Sequence, residues 1–290
     1  MVIASTMQFT TGFSTLAASW GRAPWVFEPG AVDLSPVDTH MAAIERLVRG
    51  MDESVLRVRL PGQGPQSGSP QRVALRDVHD IADLLAQPGV LHLQANEVQL
   101  YDSSWAEVAR RFRARVEADV PEVRDPSTRV SLGLFVSSGG ATAPYHADPE
   151  HNVLVQIHGN KKMHMFPPDE QTFPSAARES LAAVNQSVLD NYRVEFEQRA
   201  VVVELVPGTA LYHPPMSPHW VDTGCSGPSL SLAVSFVTPS IDRLMLLHKV
   251  NRRLRRLGIA AQADDTHPTL DSAKVAFGRV ARALARRVRG

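Results

Sequence analysis

The feature that most constrains this chain is a close pair of residues with a distant third: His146-Ala147-Asp148 and, far downstream, His219. On a strand, residues i and i+2 point to the same side. A His-x-Asp pair therefore delivers an imidazole and a carboxylate to one point from one short stretch, with Ala147 facing away. A third donor so distant in sequence has to come from another strand, across a barrel. The apolar run Val201 to Val206, the turn Pro207-Gly208 and the segment Ala210-Leu211-Tyr212 read as a strand pair that could carry it. His219 follows just past the bend Pro214-Pro215-Met216-Ser217-Pro218.

Two imidazoles and one carboxylate on one face leave three coordination positions free on Fe(II), which suits two oxygens of 2-oxoglutarate and one O2. That dicarboxylate needs a cation about one cosubstrate length from the metal to hold its distal end. Lys161, thirteen residues after Asp148, supplies it and begins the run Lys-Lys-Met-His-Met-Phe-Pro-Pro. Strand alternation turns Lys162 and His164 away from the side that Lys161 faces. The nearby His151, His158 and His213 read as surface or hydrogen-bonded residues, and His40, His79, His92, His248 and His267 have no partner spacing. None of them is assigned a role.

The stretch His146 to Pro168, together with Gly208 to Val221, resembles the JmjC and cupin-like Fe(II)/2-oxoglutarate oxygenases, closest in pattern to their asparaginyl hydroxylase branch, which acts on hypoxia-inducible factor. Asn152, Gly159, Lys161 and Phe166-Pro167-Pro168 stand where that family has an Asn, a strand-ending Gly, a Lys and a closing Phe-Pro-Pro. Gly208 to Pro214 matches the G-D-x-L-Y-x-P type turn ahead of the distal ligand, with Thr209 in place of the acidic residue. The resemblance runs from roughly Ser131 to Pro239. It implies that His146, Asp148 and His219 hold iron and that Lys161, helped by Asn152, binds 2-oxoglutarate. Further hydrogen bonds to the cosubstrate are implied at Thr142, one step before the family's Thr position, and at Ser235, where that branch has an Asn. The implied outcome is conversion of 2-oxoglutarate and O2 to succinate and CO2 with hydroxylation of an unactivated C–H bond. N-demethylation begins with the same C–H step and is the less favoured outcome.

The chain has 290 residues, 43% of them hydrophobic, and 30 basic residues against 30 acidic ones. No apolar run is long enough to span a bilayer. The single Cys225 rules out an internal disulfide, and the segment before Trp20 lacks the basic start and apolar stretch of a signal peptide. The cytoplasm is the expected location. The Cys225 loop reads as a small turn rather than a nucleophile's setting.

The expected architecture is mainly β with flanking helices: a double-stranded β-helix (cupin or jelly-roll) in three parts. Residues 1–128 form a helical and strand region packing on the barrel, 129–239 the barrel core, and 240–290 C-terminal helices. Helices are expected from Val37 to Arg49, Leu75 to Ala86 and Ser104 to Val120, and strands at Val55 to Leu60, Val90 to Gln94 and Val98 to Tyr101. The Gly/Pro/Gln/Ser-rich segment from Pro61 to Pro70 reads as a flexible loop. A polar insertion from Asp169 to Gln198, with a helix near Ala176 to Leu189, is a natural place for substrate contacts.

Ile241 to Leu257 and Asp271 to Val288 carry apolar residues at helical spacing together with many Arg. With zero net charge and no helix-turn-helix or zinc-finger spacing, nucleic-acid binding is disfavoured. A homodimer through a stripe such as Leu244, Leu247, Val250 and Leu254 is expected, as in the related hydroxylase. Protein side chain, peptide and small metabolite all remain open as substrate. Two alternatives stand beside the non-heme iron dioxygenase: a metal-dependent cupin enzyme that does not use 2-oxoglutarate, and a non-catalytic cupin-like module. The first has no need of Lys161, and the second would be expected to have lost a metal ligand, whereas none is missing.

Overall fold

The structure, a computed structural model, describes residues 15–60, 65–66, 71–75, 81–184, 190–224, 227–259, 261 and 267–289. Cys225, His79 and most of the loop expected over 61–70 lie outside them. In chain order the elements are α1 (Leu16–Ser19), β1 (Trp25–Val26), α2 (Met41–Arg49), β2 (Leu56–Leu60), β3 (Gln71–Val73), α3 (Ile81–Ala86), β4 (His92–Asn96) and α4 (Ser103–Asp119). Then come β5 (Arg129–Ser137), β6 (Thr142–His146), β7 (His151–His158), β8 (Lys161–Met165), α5 (Ser175–Val184), β9 (Val201–Leu205), β10 (Ala210–His213), β11 (His219–Thr223), β12 (Ser229–Val237), α6 (Pro239–Arg256) and α7 (Pro268–Arg289).

The strands form a major sheet in the order β1-β10-β7-β12-β5-β4-β2-β3 and a minor sheet in the order β6-β11-β8-β9. All pairings are antiparallel. This is the expected double-stranded β-helix. The major sheet continues through β4 into β2 and β3, across the boundary expected at 128/129.

Alternation along the strands separates two environments. On β5 and β12, Leu132, Leu134, Val136, Leu232, Val234 and Phe236 pack into one apolar core with Ile44 and Val48 of α2 and Trp105, Phe112 and Val116 of α4. The residues between them, among them Ser131, Phe135 and Ser235, face a cavity on the other side. Across that cavity lies the minor sheet. Its outer surface is covered by the 169–198 insertion, where Phe173, Leu181 and Phe196 cluster with Tyr145 and Phe166. The Tyr145 hydroxyl donates to the carbonyl of Thr172 at 2.8 Å. The insertion thus packs behind the minor sheet, on the side away from the cavity.

Two expectations change locally. Val98 to Leu100 is a 3-10 turn rather than a strand. Glu97 adopts a left-handed backbone (φ 59) that ends β4, and the Asp102 carboxylate caps α4 by accepting from the amides of Ser104 and Trp105. Part of the C-terminal stripe also packs within the chain: Leu247 and Val250 are buried, Leu244 and Leu254 half-buried, and α6 packs on both α5 and α7. Gly278 of α7 permits that crossing, since a Cβ there would meet Leu246 at 2.9 Å.

Candidate active site

His146 ends β6 and His219 begins β11, and the two residues are directly opposed in the ladder. Their ring centroids are 4.1 Å apart. Asp148 follows in the turn to β7, and its carboxylate oxygen lies 3.8 Å from Nε2 of His219. One ligand atom from each of the three residues lies within 4.8 Å of the other two. The bend before β11 is tied to this turn: Met216, in a left-handed conformation (φ 60), donates its amide to the carbonyl of Asp148 at 2.8 Å.

Both imidazoles are held in one tautomer. Nδ1 of His146 donates to the carbonyl of Pro144 at 2.6 Å, and Nδ1 of His219 donates to the carbonyl of Ser217 at 2.9 Å. Each ring therefore offers the lone pair of Nε2, the arrangement that ligating histidines adopt. Burial, reinforced by the neighbouring His146, pushes the pKa of His219 well below its ordinary value, which keeps it neutral. Two imidazoles and a carboxylate on one side of a cavity fit Fe(II) with positions left free.

The cavity has a volume of about 530 Å³. Six of the seven residues singled out from the sequence line it: His146, Asp148, His219, Lys161, Asn152 and Ser235. Asn152 and Ser235 sit opposite each other in the ladder, the Ser235 hydroxyl donating to the Asn152 carbonyl oxygen. The Asn152 amide in turn donates to the Asp148 carboxylate at 3.4 Å. In this arrangement Asn152 orients the Asp148 carboxylate.

Thr142 does not line the cavity. The β6–β11 ladder pairs His219 with His146 but Val221 with Ala143, so β6 holds one extra residue between these pairs. That bulge shifts the alternation by one. Ala143 therefore joins Val221 on the cavity side, while Thr142 pairs with Asp222. A hydroxyl comes instead from Thr223, which lines the cavity and is in register with Lys161.

Lys161 opens β8 after a turn that only glycine tolerates: Gly159 has φ +67, and a Cβ there would lie 2.6 Å from the carbonyl oxygen of Pro228. The lysine is buried, with Nζ donating to the hydroxyl of Ser231 at 2.9 Å and lying 6.0 Å from the centre of the Phe135 ring. Among the described residues it has no carboxylate partner. Burial lowers its pKa to about 7. Thr223, its ladder partner, is four residues along β11 from His219, a separation of roughly 13 Å at strand rise. The apolar walls between these two ends include Leu154, Met163 and Val221.

Two cavity histidines escape sequence reasoning. His92 comes from β4, its Nδ1 2.8 Å from the hydroxyl of Ser137, and burial followed by the charge of Lys161 lowers its pKa to about 3. His213 ends β10, its ring 4.7 Å from that of His219. Period-two alternation would have placed His92, Gln94 and Asn96 on one face of β4, but only the sheet order shows that this face meets the metal site. His151 and His164 behave as structural residues. His151 stacks on Trp20 with centroids 4.1 Å apart, and His164 bonds Glu197.

The model of the cupin-like domain family matches residues 75–237. The chain belongs to the cupin-like domain family. Similar proteins include Jumonji C domain-containing protein 5 of Drosophila melanogaster, 26% identical over 118 residues that cover 38% of this chain and 28% of that protein. Lysine-specific demethylase JMJ30 of Arabidopsis thaliana is 31% identical over 113 residues, covering 37% of this chain and 25% of the relative. The chain thus spans about a quarter of the length of these curated relatives. Among solved structures, the ribosomal oxygenase YcfD of Escherichia coli in complex with cobalt and 2-oxoglutarate superposes with a TM-score of 0.51 and 19% identity, over 90% of this chain and 63% of that one. A likeness at that identity speaks to the shared fold. No helix among the described residues is long and apolar enough to cross a membrane.

Proposed function

We propose that this cupin-like protein is an Fe(II)- and 2-oxoglutarate-dependent oxygenase acting as a hydroxylase. His146, Asp148 and His219 would hold the iron, and Lys161 the distal carboxylate of the oxo acid. The observation that carries the reading is Lys161, a buried lysine without a carboxylate partner among the described residues, in the same cavity as the triad. An unpaired buried cation is costly unless a ligand supplies the counter-charge. A dicarboxylate does so. A cupin enzyme working without an oxo acid leaves this lysine unexplained.

When bound, the iron supplies the redox chemistry: one O2 is consumed, 2-oxoglutarate becomes succinate and CO2, and the substrate C–H becomes C–OH. The protein's own groups bind and orient. Asn152 fixes the carboxylate of Asp148, the carbonyls of Pro144 and Ser217 fix the ring faces of the two histidines, and Leu154, Met163 and Val221 exclude water between the two ends of the cavity. Arg57 of β2 also lines the cavity, where its charge acts on the nearby Glu150 carboxyl, and it is placed to meet an incoming substrate.

Relatives named as a lysine-specific demethylase and a ribosomal oxygenase support a protein or peptide substrate over a small metabolite. Hydroxylation is favoured here over demethylation, and the setting is the cytoplasm. The C-terminal helices, 240–290, are read as a homodimer surface. With Leu247 and Val250 of the α6 stripe buried, the apolar contribution shifts to Leu270, Phe277 and Val280 of α7, which are exposed. Light scattering of wild type and Phe277→Glu tests this, and a wild-type monomer discards it. The central experiment measures succinate formed from 2-oxoglutarate and O2 by Fe(II)-loaded protein, offered fractionated peptides and metabolites from cell extract. Stimulated succinate with a mass gain of one oxygen on a substrate is expected. Iron binding with no 2-oxoglutarate binding would return the chain to the other cupin chemistries.

A further inference from the structure

Facing the triad from the major sheet is a row of three polar side chains. Ser235 of β12 pairs with Asn152 of β7, and Asn152 pairs with His213 of β10. All three line the cavity. Two of them are already connected, the Ser235 hydroxyl to Asn152 and the Asn152 amide to Asp148. The third is not. His213 is 4% exposed, and its Nδ1 is sealed from solvent with no hydrogen-bond partner among the described residues.

A buried imidazole is rarely left this way. A neutral imidazole carries one N–H and one lone pair. Leaving such groups unpaired in an interior is unfavourable, and native proteins satisfy them. No side chain among the described residues does so, and the ring's polar contact is with the backbone of Pro214. His213 also stands apart from the three residues whose ligand atoms cluster, so it is not a fourth member of that set. The ring of His219 lies close to both, 4.1 Å from His146 and 4.7 Å from His213 by centroids. His213 therefore has a polar atom to satisfy beside the metal ligands, in the cavity that has to admit the oxo acid.

We propose that His213 donates a hydrogen bond to the carboxylate of the 2-oxo acid at the metal end of the cavity, making it a second anchor opposite Lys161. The proposal rests on the 2-oxoglutarate reading. An anionic oxygen acceptor gives the neutral N–H a charge-assisted bond and leaves the three metal ligands unchanged. Lys161 recognises the length of the ligand by its far carboxylate. His213 recognises the carboxylate at the metal end.

Calorimetry with Co(II) in place of iron tests this without turnover, on wild type, His213→Phe and His213→Gln, each checked by circular dichroism for native structure. The Co(II) affinity and the Co(II) visible spectrum of ligand-free protein should be unchanged in both variants. The 2-oxoglutarate affinity of the Co(II)-loaded protein should fall roughly tenfold in His213→Phe, about 1.4 kcal/mol. His213→Gln, which keeps an N–H donor, should recover most of it. Equal 2-oxoglutarate affinity in wild type and His213→Phe overturns the proposal and leaves the oxygenase reading standing. A large loss of Co(II) affinity with an altered spectrum also overturns it, by making His213 a ligand or a support of Asp148. If wild type binds Co(II) and no 2-oxoglutarate, the oxygenase reading fails first, and the assignment of His213 goes with it.

Discussion

The two faces of β8 and β11 hold the same kinds of residue in opposite circumstances. Towards the cavity point Lys161 and His219, both buried, the lysine without an acidic partner among the described residues. Away from it point Lys162, which lies 3.5 Å from Glu204, and His164, which bonds Glu197 at 2.7 Å and stacks on Trp220 with centroids 3.9 Å apart. Glu197 also accepts from Tyr192 at 2.7 Å and from the indole of Trp220 at 2.8 Å. The outer face is complete in itself. The inner face keeps lone pairs and a cation in reserve, and that reserve distinguishes a binding site from a packed polar cluster when residue types are alike.

The sharpest way to break this contrast is at the triad. His146→Ala, Asp148→Ala or His219→Ala should each abolish succinate formation and stoichiometric iron, read by metal analysis. Full iron occupancy in the His219 variant would remove it from the site. Next comes the lysine pair. Lys161→Ala should weaken 2-oxoglutarate roughly 30-fold or more, since leaving a buried charge unpaired costs about 2–5 kcal/mol, with iron affinity preserved. Lys162→Ala should bind 2-oxoglutarate like wild type. The reverse result from calorimetry would place the register one residue off.

Smaller effects sharpen the same picture. Asn152→Ala removes the amide from the Asp148 carboxylate and should lower metal affinity by about 10–100-fold, the usual range for such supporting residues. Normal metal affinity in this variant would show that Asp148 is oriented by its backbone alone.

The lowered pKa of Lys161 gives a pH signature. In the free protein it loses its proton near pH 7, whereas its ordinary value is 10.5. A bound dianion stabilises the protonated form, so binding above pH 7 takes up a proton. Affinity for 2-oxoglutarate should then fall as pH rises from 7 to 9, by at most about tenfold per unit, with no such dependence in Lys161→Met. His92, its titratable neighbour, is already neutral in that range. For the ligand-free protein the sign is opposite: the unfolded chain binds more protons between pH 7 and 10.5, so stability contributed at this site rises with pH across that window.

On the outer face, Glu197→Gln should cost on the order of 1–3 kcal/mol of stability by chemical denaturation and leave 2-oxoglutarate affinity unchanged. A loss of cosubstrate binding there would mean that the two faces are not independent.

Much of the metal end was legible because its logic is local. His146 and Asp148 are two apart, and a strand brings such residues to one side. Lys161 starts a run whose alternation separates it from Lys162 and His164, and the ladder places them so. The C-terminal stripe was legible as helix but not as interface, since periodicity marks an apolar face without saying what covers it. α5 and α7 cover it here.

The sequence by itself determined residue type and phase: which side chains can ligate a metal, and which neighbours on a strand share a side. That much follows from the geometry of a few consecutive peptide units. Only the tertiary structure decided which phases coincide. One extra residue in β6 turned Thr142 away and brought Ala143 in. The order of the major sheet carried His92 of β4 into a cavity built around residues far along the chain, and the pairing of β10 with β7 set His213 beside Asn152. These outcomes depend on ladder register and strand order, which arise from contacts between distant segments and have no signature in either segment alone.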